Sequence, residues 1–129
     1  MRVLLDTQIV LALLQDKLAR QSPDIARLVD NPATIGSVSV ASLWEIAIKT
    51  RLRKLDPGMP LETIAGYLEA VGLIILQIEI SHVITAVEPE PATRDPFDRL
   101  LLAQCHIEDL RLVTLDRALV AHPLAAKIT

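Results

Sequence analysis

Along the chain, short apolar runs alternate with stretches whose apolar residues recur every three or four positions. Arg2-Val3-Leu4-Leu5 is the first run and closes on Asp6-Thr7. It reads as a buried central strand whose carboxyl end presents an acid. Ile9, Val10, Leu13 and Leu14 follow at helical spacing, so the chain opens as a strand feeding a helix. Ser22-Pro23-Asp24 marks a second helix start, with Ile25, Ala26, Leu28 and Val29 as its apolar side and Asn31-Pro32 as its stop. Residues 34–38 read as a strand, and residues 39–49 as an amphipathic helix marked by Leu43, Ile46 and Ala47 and widened by Trp44 and Ile48. Leu61, Ile64, Ala65, Leu68 and Val71 predict a further helix that Gly72 ends. The run 73–78 predicts a strand suited to a parallel sheet covered on both faces. Residues 81–87 read as a short helix carrying His82, a lone histidine better read as packed or exposed than as a ligand, and Glu88-Pro89-Glu90-Pro91 as a loop. A helix from Asp95 to Glu108, a strand over 111–114 and an apolar tail, read as a helical turn and an edge strand over 118–129, complete the pattern.

This alternation predicts one domain, residues 1–129, of the three-layer α/β/α sandwich class with a mainly parallel sheet. Composition sharpens the picture. The chain is 51% hydrophobic but only 2% aromatic, so Leu, Ile, Val and Ala must build the core, and a broad base-stacking platform is not expected. No apolar run is long enough to span a bilayer, and Asp6 falls too early for a secretory signal, which places the expected location in the cytoplasm. A single cysteine, Cys105, excludes an internal disulfide and a Cys-rich zinc site. The net charge of −3 gives no global pull towards nucleic acid, so such affinity needs a local basic patch.

Candidate chemistry centres on Arg94-Asp95-Pro96-Phe97-Asp98-Arg99. Asp95 fits a helix N-cap, Pro96 the first helical position, and Asp98 the first turn, beside the apolar side formed by Leu101, Leu102 and Cys105. Asp6 and Asp116 follow strands, at the sheet edge where ligands of open α/β sheets gather, although Asp6 with Thr7 also fits a helix cap. Glu45 has two readings of equal weight: the capping-box partner of Ser42, or, if the helix begins at Ser39, an acid free for other work. The densest basic run, residues 49–54, is either a solvated helix end or a phosphate contact. If Asp6, Glu45, Asp98 and Asp116 converge, their charges repel, and a divalent cation resolves the conflict. Carboxylate oxygens with few histidines favour Mg²⁺ or Mn²⁺ over zinc.

The segments Leu4-Leu5-Asp6-Thr7, Ser39-Val40-Ala41-Ser42-Leu43-Trp44-Glu45-Ile46-Ala47-Ile48-Lys49, Arg94-Asp95-Pro96-Phe97-Asp98-Arg99 with Leu101-Leu102-Ala103-Gln104, and Leu112-Val113-Thr114-Leu115-Asp116, in that order, resemble the PIN-domain ribonucleases, in particular the bacterial VapC-type toxins of toxin–antitoxin pairs. The resemblance implies a Mg²⁺-dependent endoribonuclease, with Mn²⁺ able to substitute. Asp6 and Asp98 would be the principal metal ligands and Glu45 and Asp116 would complete the catalytic cluster. Thr7, Thr114 and Asp95 would have positioning roles, and Lys49, Arg51, Arg53 and Arg99 are the residues to test for RNA phosphate contacts. An antitoxin partner and a homodimer are implied as well. The chain departs from the subgroup at Gln8 and Thr93, where histidines are frequent, and in the basic run, which lacks the usual glycine; none of these removes an acid. The alternatives are a catalytically idle PIN fold that only binds a partner, and a receiver-like phosphoacceptor domain. The latter lacks its lysine, because Arg117 follows Asp116.

Overall fold

The structure, a computed structural model, describes residues 1–128. Four strands form one parallel sheet in the order β3-β2-β1-β4: β1 (Arg2–Leu5), β2 (Ile35–Ser39), β3 (Ile74–Leu76) and β4 (Arg111–Val113). Among the described residues the helices are α1 (Thr7–Leu14), α2 (Leu18–Gln21), α3 (Pro23–Asp30), α4 (Val40–Arg51), α5 (Ile64–Ala70), α6 (Ile80–Ile84) and α7 (Pro96–Glu108), with a 3₁₀ turn, Leu61–Thr63, leading into α5. This is the expected α/β class. The short α2 carries no sequence signal beyond Leu18, its buried residue.

Strand β1 is apolar on both faces because both are covered. Val3 and Leu5 join Ile9, Val10, Ile46 and Leu68 in one core, while Leu4, on the opposite face, joins Leu101, Leu102 and Leu112 in another. All three β1 leucine and valine side chains are fully buried. Neighbours β2 and β4 lie on either side of β1, although β2 follows it directly in the chain and β4 comes last. The strand order therefore reverses at β1, and the crevice beyond the carboxyl ends of β1 and β4 is the switch point of the sheet.

The run 73–78 fares differently from expectation. Only Ile74–Leu76 pairs, on one side, with β2, and Ile74 is 52% exposed. As the edge strand it lacks a second neighbour, and its outer face is not sealed. In the tail, the expected helical turn is a hydrogen-bonded turn in which the Asp116 carbonyl accepts from Leu119 and Val120. The expected edge strand shrinks to one parallel bridge, Leu112 with Ala125; Thr129 lies outside the described residues. His82 is packed: its Nδ1 accepts from the Glu79 N–H at 2.9 Å, leaving Nε2 to donate to Glu108 at 2.8 Å and tie α6 to the end of α7.

Candidate active site at the carboxyl edge of β1 and β4

Asp6 leaves β1 as the N-cap of α1, with extended backbone and its Oδ1 accepting the Thr7 N–H at 2.7 Å. Its N–H donates to the Val113 carbonyl of β4 at 3.0 Å, so the sheet ladder itself fixes its position. The other carboxyl oxygen, Oδ2, accepts the Thr114 hydroxyl at 2.6 Å. Thr114 has no freedom to point elsewhere, because its oxygen is occupied in accepting the Asp116 N–H at 3.0 Å. Asp6 is 4% exposed, and burial pushes its carboxyl up, with the charges of Asp116 and Glu45 adding to the rise and the Thr114 and Thr7 bonds opposing it.

Asp98 is held by a matching device. Asp95 is the N-cap of α7, accepting the Phe97 N–H at 2.9 Å, and Pro96 takes the first helical position. Thr93 accepts the Asp95 N–H and donates its hydroxyl to Asp98 Oδ2, both at 3.1 Å. Each of the two aspartates is thus gripped by a threonine whose oxygen closes a turn onto the residue two positions later. Asp98 is pushed up to about 6, chiefly by burial, then by the charges of Asp95 and Asp6 and, more weakly, Asp116; the Thr93 bond works against this.

The two readings of Glu45 are resolved by the start of α4. Ser39 is the N-cap, accepting the Ala41 N–H at 3.0 Å, so Ser42 lies inside the helix and makes no capping box. Ser42 is fully buried and instead receives the Thr7 hydroxyl at 2.9 Å, joining α1 to α4. Glu45 lies in the second turn, 6% exposed, with its Oε2 bonded to Lys49 Nζ at 2.6 Å. That bond, together with the charges of Glu45, Asp95 and Asp98, holds the Lys49 ammonium above its ordinary range, against the effect of burial. Asp116 is exposed after β4, and its Oδ1 caps the turn by accepting the Ala118 N–H at 2.9 Å.

The fold therefore brings Glu45 and Asp116 within electrostatic reach of Asp6, and Asp6, Asp95 and Asp116 within reach of Asp98. Among the described residues no group of three or more His, Cys, Asp or Glu side chains is placed to hold a metal ion. Lone pairs remain on Asp6 and Asp98, so these two carboxylates could hold a divalent cation whose other positions are filled by water. Of the basic residues, Lys49 is engaged by Glu45, and Arg99 by the Thr93 carbonyl at 2.9 Å and Glu90 at 3.3 Å. Arg51 and Arg53 are exposed at the far end of α4. Two cavities of about 330 and 310 Å³, between the end of α6 with its following loop and the first turns of α7, share Thr85 and Arg99 and are lined by none of the four acids.

Sequence reasoning missed Ser42 as the partner of Thr7 and Thr93 as the clamp on Asp98. The Thr93 spacing, two residues before the N-cap and five before the acid, is a usable signal; the Thr7–Ser42 bond joins distant segments and has none.

A parallel sheet whose order reverses at β1, with acids gathered beyond that point, defines an α/β protein with a carboxylate site at its switch point. The PIN domain family model matches residues 3–123, nearly the whole chain, and the chain belongs to that family. PIN domains are generally nucleases that act on nucleic acid and use divalent metal ions, so membership points to a nuclease-type function. No curated protein matches it. Among the described residues no helix is long and apolar enough to cross a membrane.

Proposed function

We propose that the chain is a Mg²⁺-dependent endoribonuclease and the toxin of a type II toxin–antitoxin pair. The observation that carries the nuclease half is the clamped pair Asp6 and Asp98, two carboxylates fixed by Thr114 and Thr93 with their charged forms destabilised by burial. The toxin half rests on the Trp-Glu-Ile-Ala and Asp-Pro-Phe-Asp-Arg segments, which resemble the VapC-type subgroup. Asp6 and Asp98 would hold the cation, with Glu45 and Asp116 completing its surroundings directly or through water. When bound, Mg²⁺ neutralises a phosphodiester and makes a water more acidic. The protein's own part is orientation. Thr114 and Thr93 each fix one oxygen of an aspartate and the Thr7 N–H engages the other oxygen of Asp6, so both carboxylates are held in place with lone pairs to spare for a cation. Lys49 restrains Glu45 and offsets part of the negative charge that a phosphate would meet. Arg51 and Arg53 are the exposed cations for flanking phosphates. Direct attack by water leaves a 3′-hydroxyl and a 5′-phosphate.

Expression in a bacterial host tests the toxin reading. Induction is expected to arrest growth, with new 5′-phosphate RNA ends at discrete sites. Co-expression of the antitoxin encoded beside it should relieve the arrest, and Asp98→Asn should abolish both effects. Normal growth with intact RNA would remove the toxin assignment.

A further inference from the structure

The chain has one Trp, one Phe and one Tyr, and two of these three meet where α4 packs against α7, the helices that carry Glu45 and Asp98. Trp44 immediately precedes Glu45 in α4, and Phe97 immediately precedes Asp98 in α7. Their rings contact edge to face, with centroids 5.6 Å apart and planes at 71°. An edge-to-face pair is favourable, yet Trp44 remains 58% exposed, so most of the largest apolar side chain in the protein faces water. Neither core cluster includes Trp44. Its exposure therefore has no packing explanation.

The surroundings select an occupant. Trp44, Ile48 and Arg51 follow one another at spacings of four and three, which puts them on one stripe of α4. Arg51 ends that stripe about 10 Å along the helix from Trp44. It is exposed and makes no ion pair among the described residues. An aromatic face on the helix that also carries Glu45, followed by a cation further along it, matches a single nucleic-acid strand, with a base on the ring and a phosphate on the guanidinium. We infer that Trp44, braced by Phe97, is a stacking platform for one unpaired nucleobase next to the phosphodiester to be cut, and that Arg51 receives a flanking phosphate. The inference rests on the nuclease reading and specifies its substrate as single-stranded RNA. A stacked duplex offers no free base face, so double-stranded RNA is excluded from this platform. The scarcity of aromatic residues remains a bar to a broad platform, but one base needs only one ring.

Trp44 is the only tryptophan, so emission excited selectively from tryptophan reports this position alone. The test titrates the Asp98→Asn protein in Mg²⁺ with a labelled single-stranded oligonucleotide, an abasic strand of equal length and a hairpin duplex. Binding is read by anisotropy of the label and stacking by quenching of Trp44. The single strand is expected to quench Trp44, while the abasic strand and the duplex are not. Adding Trp44→Leu should weaken single-strand binding by about 5- to 150-fold, the span of one base–aromatic stack, without altering its salt dependence. Trp44→Phe should recover much of the loss. Circular dichroism should be unchanged, because the side chain is exposed. Binding without quenching, or equal binding by Trp44→Leu, overturns the platform and leaves the nuclease reading intact. Failure of any strand to bind also overturns it; whether the unsubstituted protein then cuts RNA decides if the nuclease reading falls too. Emission that depends on protein concentration without RNA, together with a dimer lost in Trp44→Leu, would assign the pair to a second copy of this chain and overturn the platform.

Discussion

Asp98 and Asp6 carry protons more readily in the folded chain than in the unfolded one, and this has a definite sign. Between the ordinary carboxylate value of 3.8 and about 6, folded Asp98 retains a proton that the unfolded chain has released. Stability from this group therefore falls as pH rises through that window. The metal-free Asp98→Asn protein should gain thermal stability relative to the parent as pH is raised from 4 to 7, and the parent should recover that difference in Mg²⁺. Parallel melting curves across the pH range would contradict the assignment. The threonine clamps act in the other direction. Thr114→Val removes the 2.6 Å bond to Asp6 at a buried position. It should cost about 1–3 kcal/mol in urea unfolding, because it leaves a buried carboxyl oxygen without its partner. Thr93→Val, at a less buried site, should cost less in stability while still weakening divalent-cation binding measured by calorimetry.

At the scale of elements, the N-terminus of α7 couples folding to the site. Asp95 caps the helix and also presses its charge on Asp98, and two substitutions separate these effects. Asp95→Ser keeps a capping oxygen and removes the charge, so stability should hold while Asp98 becomes more acidic. Asp95→Ala removes both and should cost about 0.5–2 kcal/mol. Chemical denaturation and a carboxyl titration by NMR read the two outcomes. This helix was legible in the sequence because Asp95, Pro96 and the leucine spacing are local signals, and β1 because burial on both faces leaves an unbroken apolar run. Strand β3 misled because an apolar run does not record whether a strand has neighbours on both sides. The start of α4 stayed open because Ser39 and Ser42 are both competent caps, and tertiary contact with Thr7 decided between them. The Thr114–Asp6 bond spans 108 residues and exists only because β4 lies beside β1. Contacts of that kind follow from topology, which sequence pattern does not specify.

For the whole molecule, two buried cores on opposite faces hold the sheet so that its switch point is rigid, while the acids are added at its open edge. The site and the core are therefore separable. Leu4→Ala or Leu112→Ala should cost about 2–5 kcal/mol and lower activity only through loss of folded protein. Asp6→Asn and Asp98→Asn should leave the fold intact and remove the chemistry. The most direct test of the central claim incubates the purified protein, free of antitoxin, with total RNA in Mg²⁺, in Mn²⁺ and in EDTA, beside Asp98→Asn. Discrete fragments in either metal, absent with EDTA and absent with the variant, are the expected result. Cleavage that survives EDTA or Asp98→Asn, or a protein that neither cuts RNA nor binds a divalent cation, would contradict a metal-dependent nuclease built on these acids.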